Sequence, residues 1–214
     1  MVTLPQRAPM RAADEFVASR EAWIGRHRAR LVAERERHEA RGGIGDGGRL
    51  DYAGVPHRLE VRALPAGRVR SRVEHDEAAE GADPFIRVWL APEEQRPLKV
   101  ILEGWLRREA RAAIGRRIAA RSSQLGVRPV AIAVRDQRSR WGSASRHRRL
   151  SFNWRLILAP PAVLDYVVVH ELAHLAEFGH TAPFWRLVRE VLPEADRARR
   201  WLREHARELR WTLE

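Results

Sequence analysis

The chain has 214 residues, of which 44% are hydrophobic, enough for one large domain or for a core domain with a smaller appendage. It contains no cysteine, which excludes disulfides and thiolate metal sites and leaves histidine and carboxylate side chains as ligands for any metal. The net charge of +12 favours polyanions as partners, although arginine and glutamate alternate in stretches such as RLVAERERHEAR, a pattern typical of solvated helix faces.

The sequence shows no targeting or membrane-spanning segment. The first residues lack the apolar run of a secretory signal, and the longest apolar run, residues 163–169, is interrupted by Asp165. We therefore expect a soluble, cytoplasmic protein with no membrane partner, and the absence of cysteine agrees with a reducing compartment.

The first part of the chain predicts one helix followed by short strands. Apolar residues recur three and four positions apart over residues 11–39, which predicts a helix, and five glycines within residues 41–49 predict a flexible loop after it. Two β-prone pieces flank Ala-Gly-Val-Pro and predict a hairpin over residues 50–64. A strand end and a loop follow, and the alternating FIRVWL predicts a strand over residues 85–90.

The second part of the chain predicts helices and strands in alternation. An apolar stripe from Leu98 to Ile118 predicts a long helix over residues 96–124, with Gly126 as its stop signal. Strands are predicted over residues 130–136 and 150–160, on either side of the basic loop RSRWGSASRHRR. The following helix, which starts at Pro161 or Ala162, carries a histidine cluster. Two more helices are predicted, over residues 182–192 and 194–211.

The histidine cluster VVVHELAHLAEFGH, residues 167–180, is the strongest functional signal. His170 and His174 are four residues apart, so both rings leave the same face of the helix and two ring nitrogens can bind one ion. In HExxH motifs the glutamate beside the first ligand, here Glu171, takes a proton from the metal-bound water and does not bind the metal. Apolar residues give this helix a buried back: Val167, Val168, Leu172 and Leu175.

A third ligand is needed, because a catalytic zinc usually has three protein ligands and one open position. We expect it to come from beyond the end of the helix. His180 is the natural candidate, but a continued helix would carry it about 9 Å along the axis and onto another face. The chain must therefore turn, and Gly179 is the residue best able to adopt a left-handed conformation. Glu177 is the competing ligand, because some HExxH enzymes use a glutamate, although it would face wrongly in a continued helix.

Other polar residues carry weaker signals. The segment Arg140-Trp141-Gly142-Ser143 either lines a cleft or forms a strand-ending loop whose tryptophan packs on the core. Asp165 is expected to be solvated at the surface instead of orienting a ligand. The remaining histidines are scattered and are expected to be exposed: His27, His38, His57, His75, His147 and His205.

A longer pattern runs over residues 138–185 and contains RWGSAS, NWRL and YVVVHELAHL, followed by His180 and Phe184-Trp185. It resembles the YgjP-like metallopeptidase family of the wider SprT-like zincin group. Ala144 stands where that family usually has cysteine, so no thiol acts there. The family also usually opens with further strands, and because MVTLP resembles the end of one, we expect part of an N-terminal sheet to be missing.

The resemblance implies an α+β fold in which a zincin-like metallopeptidase core, with a small antiparallel sheet packed on helices, occupies residues 96–214. A partial N-terminal helix and β-hairpin region with the glycine-rich loop occupies residues 1–95. The resemblance also implies one Zn²⁺ per chain, with His170, His174 and His180 as ligands and Glu171 as the catalytic base. The implied partner is a protein or peptide substrate, docked by strand addition on the strand around residues 150–158.

Three functional hypotheses follow from these observations. One is a zinc metallopeptidase, and the alternative is a nucleic-acid-associated protein of the SprT-like type that binds DNA or DNA-bound proteins, with a structural or vestigial zinc. Glu171 favours the first, because a structural site needs no base and such sites tend to be rich in cysteine. A metal-dependent hydrolase acting on another carbonyl substrate is a third hypothesis.

Overall fold

The structure, a computed structural model, describes residues 10–39, 43–65, 67–76 and 83–213. The chain forms two compact units, Met1–Arg41 and Gly42–Glu214. The first unit contains helix α1 (Met10–Glu39), which confirms the first predicted helix. The domain boundary predicted between residues 95 and 96 lies inside the second unit, and MVTLP lies outside the described residues.

The second unit begins with four strands, β1 (Arg49–Tyr52), β2 (Val55–Ala63), β3 (Arg72–Asp76) and β4 (Phe85–Leu90). They form one sheet in the order β1-β2-β4-β3, in which β2 and β4 are parallel and the other pairs are antiparallel. Ala53 and Gly54 have φ values of 51° and 78°, as a two-residue hairpin turn requires, so the predicted hairpin is confirmed.

The hairpin turn is bonded to the middle of the chain. Ala53 and Gly54 donate their backbone N–H groups to the carbonyls of Ile157 and Leu158, at 2.8 and 2.9 Å. A Cβ on Gly54 would lie 2.7 Å from the side chain of Pro160, so only glycine permits this approach. The first sheet is therefore attached directly to the segment that precedes the histidine helix.

Helix α2 (Leu98–Ser122) packs with the predicted apolar stripe towards the core, and Gly126 follows it with a φ of 63°. Near its end, Arg121 forms an ion pair of 2.6 Å with Asp165, whose side chain is 14% exposed. The prediction that Asp165 is solvated is therefore wrong, because this carboxylate joins α2 to the histidine helix. The buried residues of α2 are Ile101, Leu102, Trp105, Leu106, Ala110, Ala113, Ile114 and Ile118.

A second sheet contains β5 (Ala131–Arg135), β6 (Gly142–Ala144) and β7 (Arg149–Asn153), in the order β5-β7-β6. β5 is parallel to β7 and β6 is antiparallel to it, so the sheet is mixed and not purely antiparallel as expected. The segment predicted as a basic loop contributes the short edge strand β6. The α+β class, with small sheets packed on helices, is confirmed.

The strand predicted over residues 150–160 ends early, at Asn153. The Asn153 side-chain oxygen accepts a hydrogen bond from the Arg155 N–H at 3.0 Å, and its amide donates to the Gln137 carbonyl at 2.7 Å. These bonds start a 3-10 helix, Trp154–Leu158, which is almost entirely buried. A short buried apolar run looks the same for a strand and for a helix, which explains the error.

Four helices complete the chain: α3 (Pro161–Ala173), α4 (Ala182–Val191), α5 (Ala195–His205) and α6 (Glu208–Trp211). α3 carries the histidine motif, begins where predicted, and contacts α2, α4, α5 and β6. The last predicted helix, over residues 194–211, is divided into α5 and α6. Within the described ranges, no helix is both long and apolar enough to cross a membrane.

Candidate metal centre

Helix α3 presents two histidines at its C-terminal end. Pro161 starts the helix, where its missing N–H is not needed, and nine buried residues fix the helix in the core. His170 lies in the last turn and His174 is the residue that ends the helix. Their ring centroids are 4.9 Å apart, as expected for two side chains one turn apart on one face.

The chain turns back after His174 and returns with a third histidine. Gly179 has a φ of 96°, a left-handed conformation that favours glycine, as the spacing predicted. The turn places His180 Nε2 3.1 Å from His170 Nε2. One ring nitrogen from each of His170, His174 and His180 lies within 4.8 Å of the others, so the structure brings these three residues together.

An aromatic residue packs against the three imidazole rings from one side. The fully buried Phe184 of α4 stacks on His174 at 4.5 Å between ring centroids. It also lies 5.0 Å from the His170 ring and 5.1 Å from the His180 ring, both in edge-to-face geometry. Close packing of this kind limits rotation of the imidazoles, so their nitrogens stay directed at one another.

Two residues of the histidine cluster, His170 and His174, are uncharged at neutral pH. Burial, with smaller contributions from the charges of His174, His180 and Arg199, lowers the pKa of His170 to about 3. Burial also lowers the pKa of His174 below its ordinary value. A neutral imidazole keeps a ring nitrogen lone pair, which is the form that binds a metal.

The donor set fits a divalent metal ion. His174 Nδ1 lies 3.3 Å from the Glu177 carbonyl oxygen and donates to it, which leaves the Nε2 lone pair available for a metal. His170 Nδ1 is buried and has no hydrogen-bond partner among the described residues. Three imidazoles with an open fourth position are a common catalytic zinc site. The Glu177 side chain is exposed and is not a member of the cluster.

Glu171 is a buried carboxyl group beside this cluster. The residue is 6% exposed, and burial raises its pKa to about 7, while the positive charge of Arg140 opposes part of the rise. It forms no ion pair with any residue in the described part of the chain. A carboxyl with a pKa near neutrality can both accept and release a proton under physiological conditions.

Gly142 of β6 lies directly against this carboxyl group. A Cβ at residue 142 would be 2.5 Å from Glu171 Oε1 and 2.7 Å from Glu171 Cγ, distances that no side chain tolerates. Of the two hypotheses for residues 140–143, the structure therefore favours the cleft, although Trp141 is also partly buried against the core. The sequence offered only the glycine itself as a signal for this contact, because a strand of three residues has no measurable period.

One histidine that was expected to be exposed is buried. His57 is 3% exposed, and its Nε2 lies 3.0 Å from His75 Nε2, next to the rings of Tyr52 and Trp105. The sequence signal for the burial of His57 was the alternation in β2, in which both His57 and Leu59 are buried. His147 is exposed as expected, His75 and His205 are half-buried, and the side chains of His27 and His38 are not among those described.

The α+β fold, in which a helix and the turn after it bring three histidines together beside a buried glutamate, defines a class: it is the arrangement expected of a metallopeptidase domain. The family model "YgjP-like, metallopeptidase domain" matches residues 1–205, so the chain belongs to the YgjP-like metallopeptidase family. This confirms the resemblance seen over residues 138–185.

The chain was also compared with curated proteins and with solved structures. No curated protein matches the sequence significantly. Among solved structures, the crystal structure of the metallopeptidase zymogen of Pyrococcus abyssi abylysin is similar over 42% of this chain and 93% of that chain, with 21% identity and a TM-score of 0.39.

Proposed function

We propose that this protein is a zinc-dependent peptidase in which His170, His174 and His180 hold one Zn²⁺ and Glu171 is the general base. The observation that carries the proposal is the convergence of three histidines beside a buried glutamate, in a chain of a metallopeptidase family. A zinc ion in this position would lower the pKa of bound water and polarise a peptide carbonyl. The absence of cysteine is the basis for proposing a cytoplasmic location.

Glu171 takes the proton of the attacking water and passes it to the leaving amine. Its pKa of about 7 makes both protonation states accessible near neutral pH, which is the condition for an efficient proton carrier. The contact with Gly142 restricts the position of the carboxyl group, and the positive charge of Arg140 favours its ionised form. His170 and His174 remain neutral and keep their lone pairs for the metal.

A polypeptide substrate can bind along the free edge of β6. Asn153 N–H donates to the Trp141 carbonyl at 2.8 Å and Ser145 N–H donates to the Arg149 carbonyl at 3.0 Å. Because bonded pairs alternate in an antiparallel ladder, the backbone groups of Gly142 point away from β7. A strand added there would lie beside Glu171.

The prediction that a substrate docks on the strand around residues 150–158 is wrong. β7 lies between β5 and β6, so both of its edges are already hydrogen-bonded. The residues after Asn153 form a 3-10 helix, which has no strand edge to offer. The edge strand β6 takes this role in the proposal.

Substitution of the base tests the proposal. Glu171→Gln is expected to bind one zinc per chain, as the wild type does, and to hydrolyse casein at least about a hundredfold more slowly, because the variant has no proton acceptor. Metal analysis and a casein assay measure the two properties. Glu177→Gln is the matched control and should keep both zinc and activity. Equal rates for wild type and Glu171→Gln would exclude the enzymatic function.

The alternative proposal is a nucleic-acid-associated protein whose zinc is structural or vestigial, and the net charge of +12 supports it. In that case the wild type hydrolyses no protein, and its affinity for single-stranded DNA falls steeply with salt and is unchanged in Glu171→Gln. A binding titration at two salt concentrations, run beside the casein assay, separates the two proposals.

A further inference from the structure

The region around the second sheet carries much of the positive charge of the chain. Residues 126–160 include eight arginines and one acidic residue, Asp136, against a net charge of +12 for the whole protein. Asp136 is paired with Arg155. None of the other seven arginines forms an ion pair with a residue that the structure describes. Their charge is therefore available to a partner.

A groove of about 410 Å³ crosses this sheet, and its polar lining consists mainly of arginines and serines. Arg135 and Arg149 are exposed, and the Oγ of Ser151 is buried without a hydrogen-bond partner among the described residues. Guanidinium and hydroxyl groups are donors that suit a carboxylate ligand. The charged and hydroxyl side chains of the lining are Arg135, Arg140, Arg149, Ser143, Ser145 and Ser151.

Strand β6 separates this groove from Glu171. Gly142 lies against the Glu171 carboxyl group, whereas the next residue, Ser143, lines the groove. Successive residues of a strand face opposite sides of a sheet, and an added strand follows the same alternation. A peptide bound along β6 would therefore direct every second side chain to the face of the sheet that carries the groove, at the rim that Ser143 lines, while the side chains between them face the histidine cluster.

We propose that this arginine-lined groove selects polypeptides that carry acidic side chains at alternate positions of an extended segment. The inference rests on the proposed peptidase function and names its substrate class. A glutamate over the groove would meet guanidinium groups and serine hydroxyls, whereas a lysine there would be repelled. The free edge of β6 favours a polypeptide over a nucleic acid, because only a polypeptide backbone continues the ladder of the sheet.

The test measures binding separately from cleavage. The Glu171→Gln variant is titrated against two fluorescein-labelled peptides, one of alternating Glu and Val and one in which Gln replaces each Glu. Fluorescence anisotropy is expected to show about tenfold tighter binding of the Glu peptide at low salt. Adding Arg149→Gln should reduce this preference by up to about fivefold. Arg200→Gln, on α5, is the charge-matched control and should retain the preference.

The outcomes distinguish this inference from the peptidase proposal. Equal affinity for the two peptides, or equal losses in the groove and control variants, overturns the inference even if the wild type cleaves both peptides. Selective binding of the Glu peptide by a protein that cleaves nothing supports the groove and refutes the peptidase. A third outcome is that single-stranded DNA displaces the peptide, binds more tightly than the peptide does, and no longer displaces it in the groove variant. This outcome assigns the groove to nucleic acid and overturns the inference.

Discussion

At the scale of single residues, Gly142 decides whether Glu171 can occupy its buried position, because a Cβ there would overlap the carboxyl group at 2.5 Å. We expect Gly142→Ala to displace this carboxyl group and to lower casein hydrolysis at least about tenfold. Zinc content should be unchanged, because the substitution does not touch the three histidines. Metal analysis and the activity assay on the same preparation check both expectations.

The control for this substitution is Gly115→Ala. Gly115 lies in α2 and has open space around it, so alanine should raise stability by about 0.5–1 kcal/mol, through helix propensity, without affecting activity. Unimpaired activity of Gly142→Ala would contradict the assigned contact.

The pKa of Glu171 also predicts how the stability of the metal-free protein depends on pH. The pKa is about 7 in the folded state against an ordinary value of 4.5, so between these values the folded state binds more protons than the unfolded state. Stability from this group is therefore present at low pH and is lost as pH rises towards about 7. Glu171→Gln removes this loss of stability. The variant should therefore be more stable than the wild type at high pH, by about 3 kcal/mol at most.

Thermal unfolding in the presence of a chelator, recorded over this pH range, measures the effect. The histidines contribute equally to both proteins, so the difference in Tm between variant and wild type isolates Glu171. A difference that stays constant with pH would show that the carboxyl group titrates normally.

At the scale of elements, the turn after α3 brings the third histidine to the cluster. Gly179 has a φ of 96°, where any other residue is strained by about 1–2 kcal/mol. We expect Gly179→Ala to shift His180 and to weaken zinc binding at least about tenfold. Competition with a fluorescent chelator measures the affinity. Gly67→Ala, at a φ of 86° and outside the cluster, should leave zinc affinity unchanged.

The same scale shows where sequence patterns were sufficient and where they failed. Long amphipathic helices such as α2 are specified by residues that are close together in the chain, so their periodicity is visible directly. The end of β7 was missed because Asn153 ends the strand through a bond to the carbonyl of Gln137, which lies in another segment. β6 was missed because a strand of three residues has no measurable period.

At the scale of the whole molecule, the first sheet supports the segment that leads into α3. Gly54 contacts Pro160, and a Cβ on it would lie 2.8 Å from the Pro160 backbone, which cannot easily move. We expect Gly54→Ala to lower the free energy of unfolding by more than about 2 kcal/mol and to weaken zinc binding as well. Urea unfolding followed by tryptophan fluorescence, with a zinc titration, measures both effects.

Gly43→Ala is the control, because its φ of 64° imposes the same backbone strain with open space around the residue. A Gly54→Ala protein with wild-type zinc affinity would show that the first sheet has no part in supporting the metal centre.

The sequence by itself determined which residues form the candidate metal centre, because the spacing of His170 and His174, the neighbouring Glu171 and the glycine before His180 are all local features. Only the tertiary structure decided what surrounds them: Gly142 against the carboxyl group, Phe184 against the imidazoles, and a free strand edge beside a groove lined by arginines. The physical reason is that these contacts join segments distant in the chain. Such contacts follow from packing and strand pairing, and neither leaves a period in the sequence.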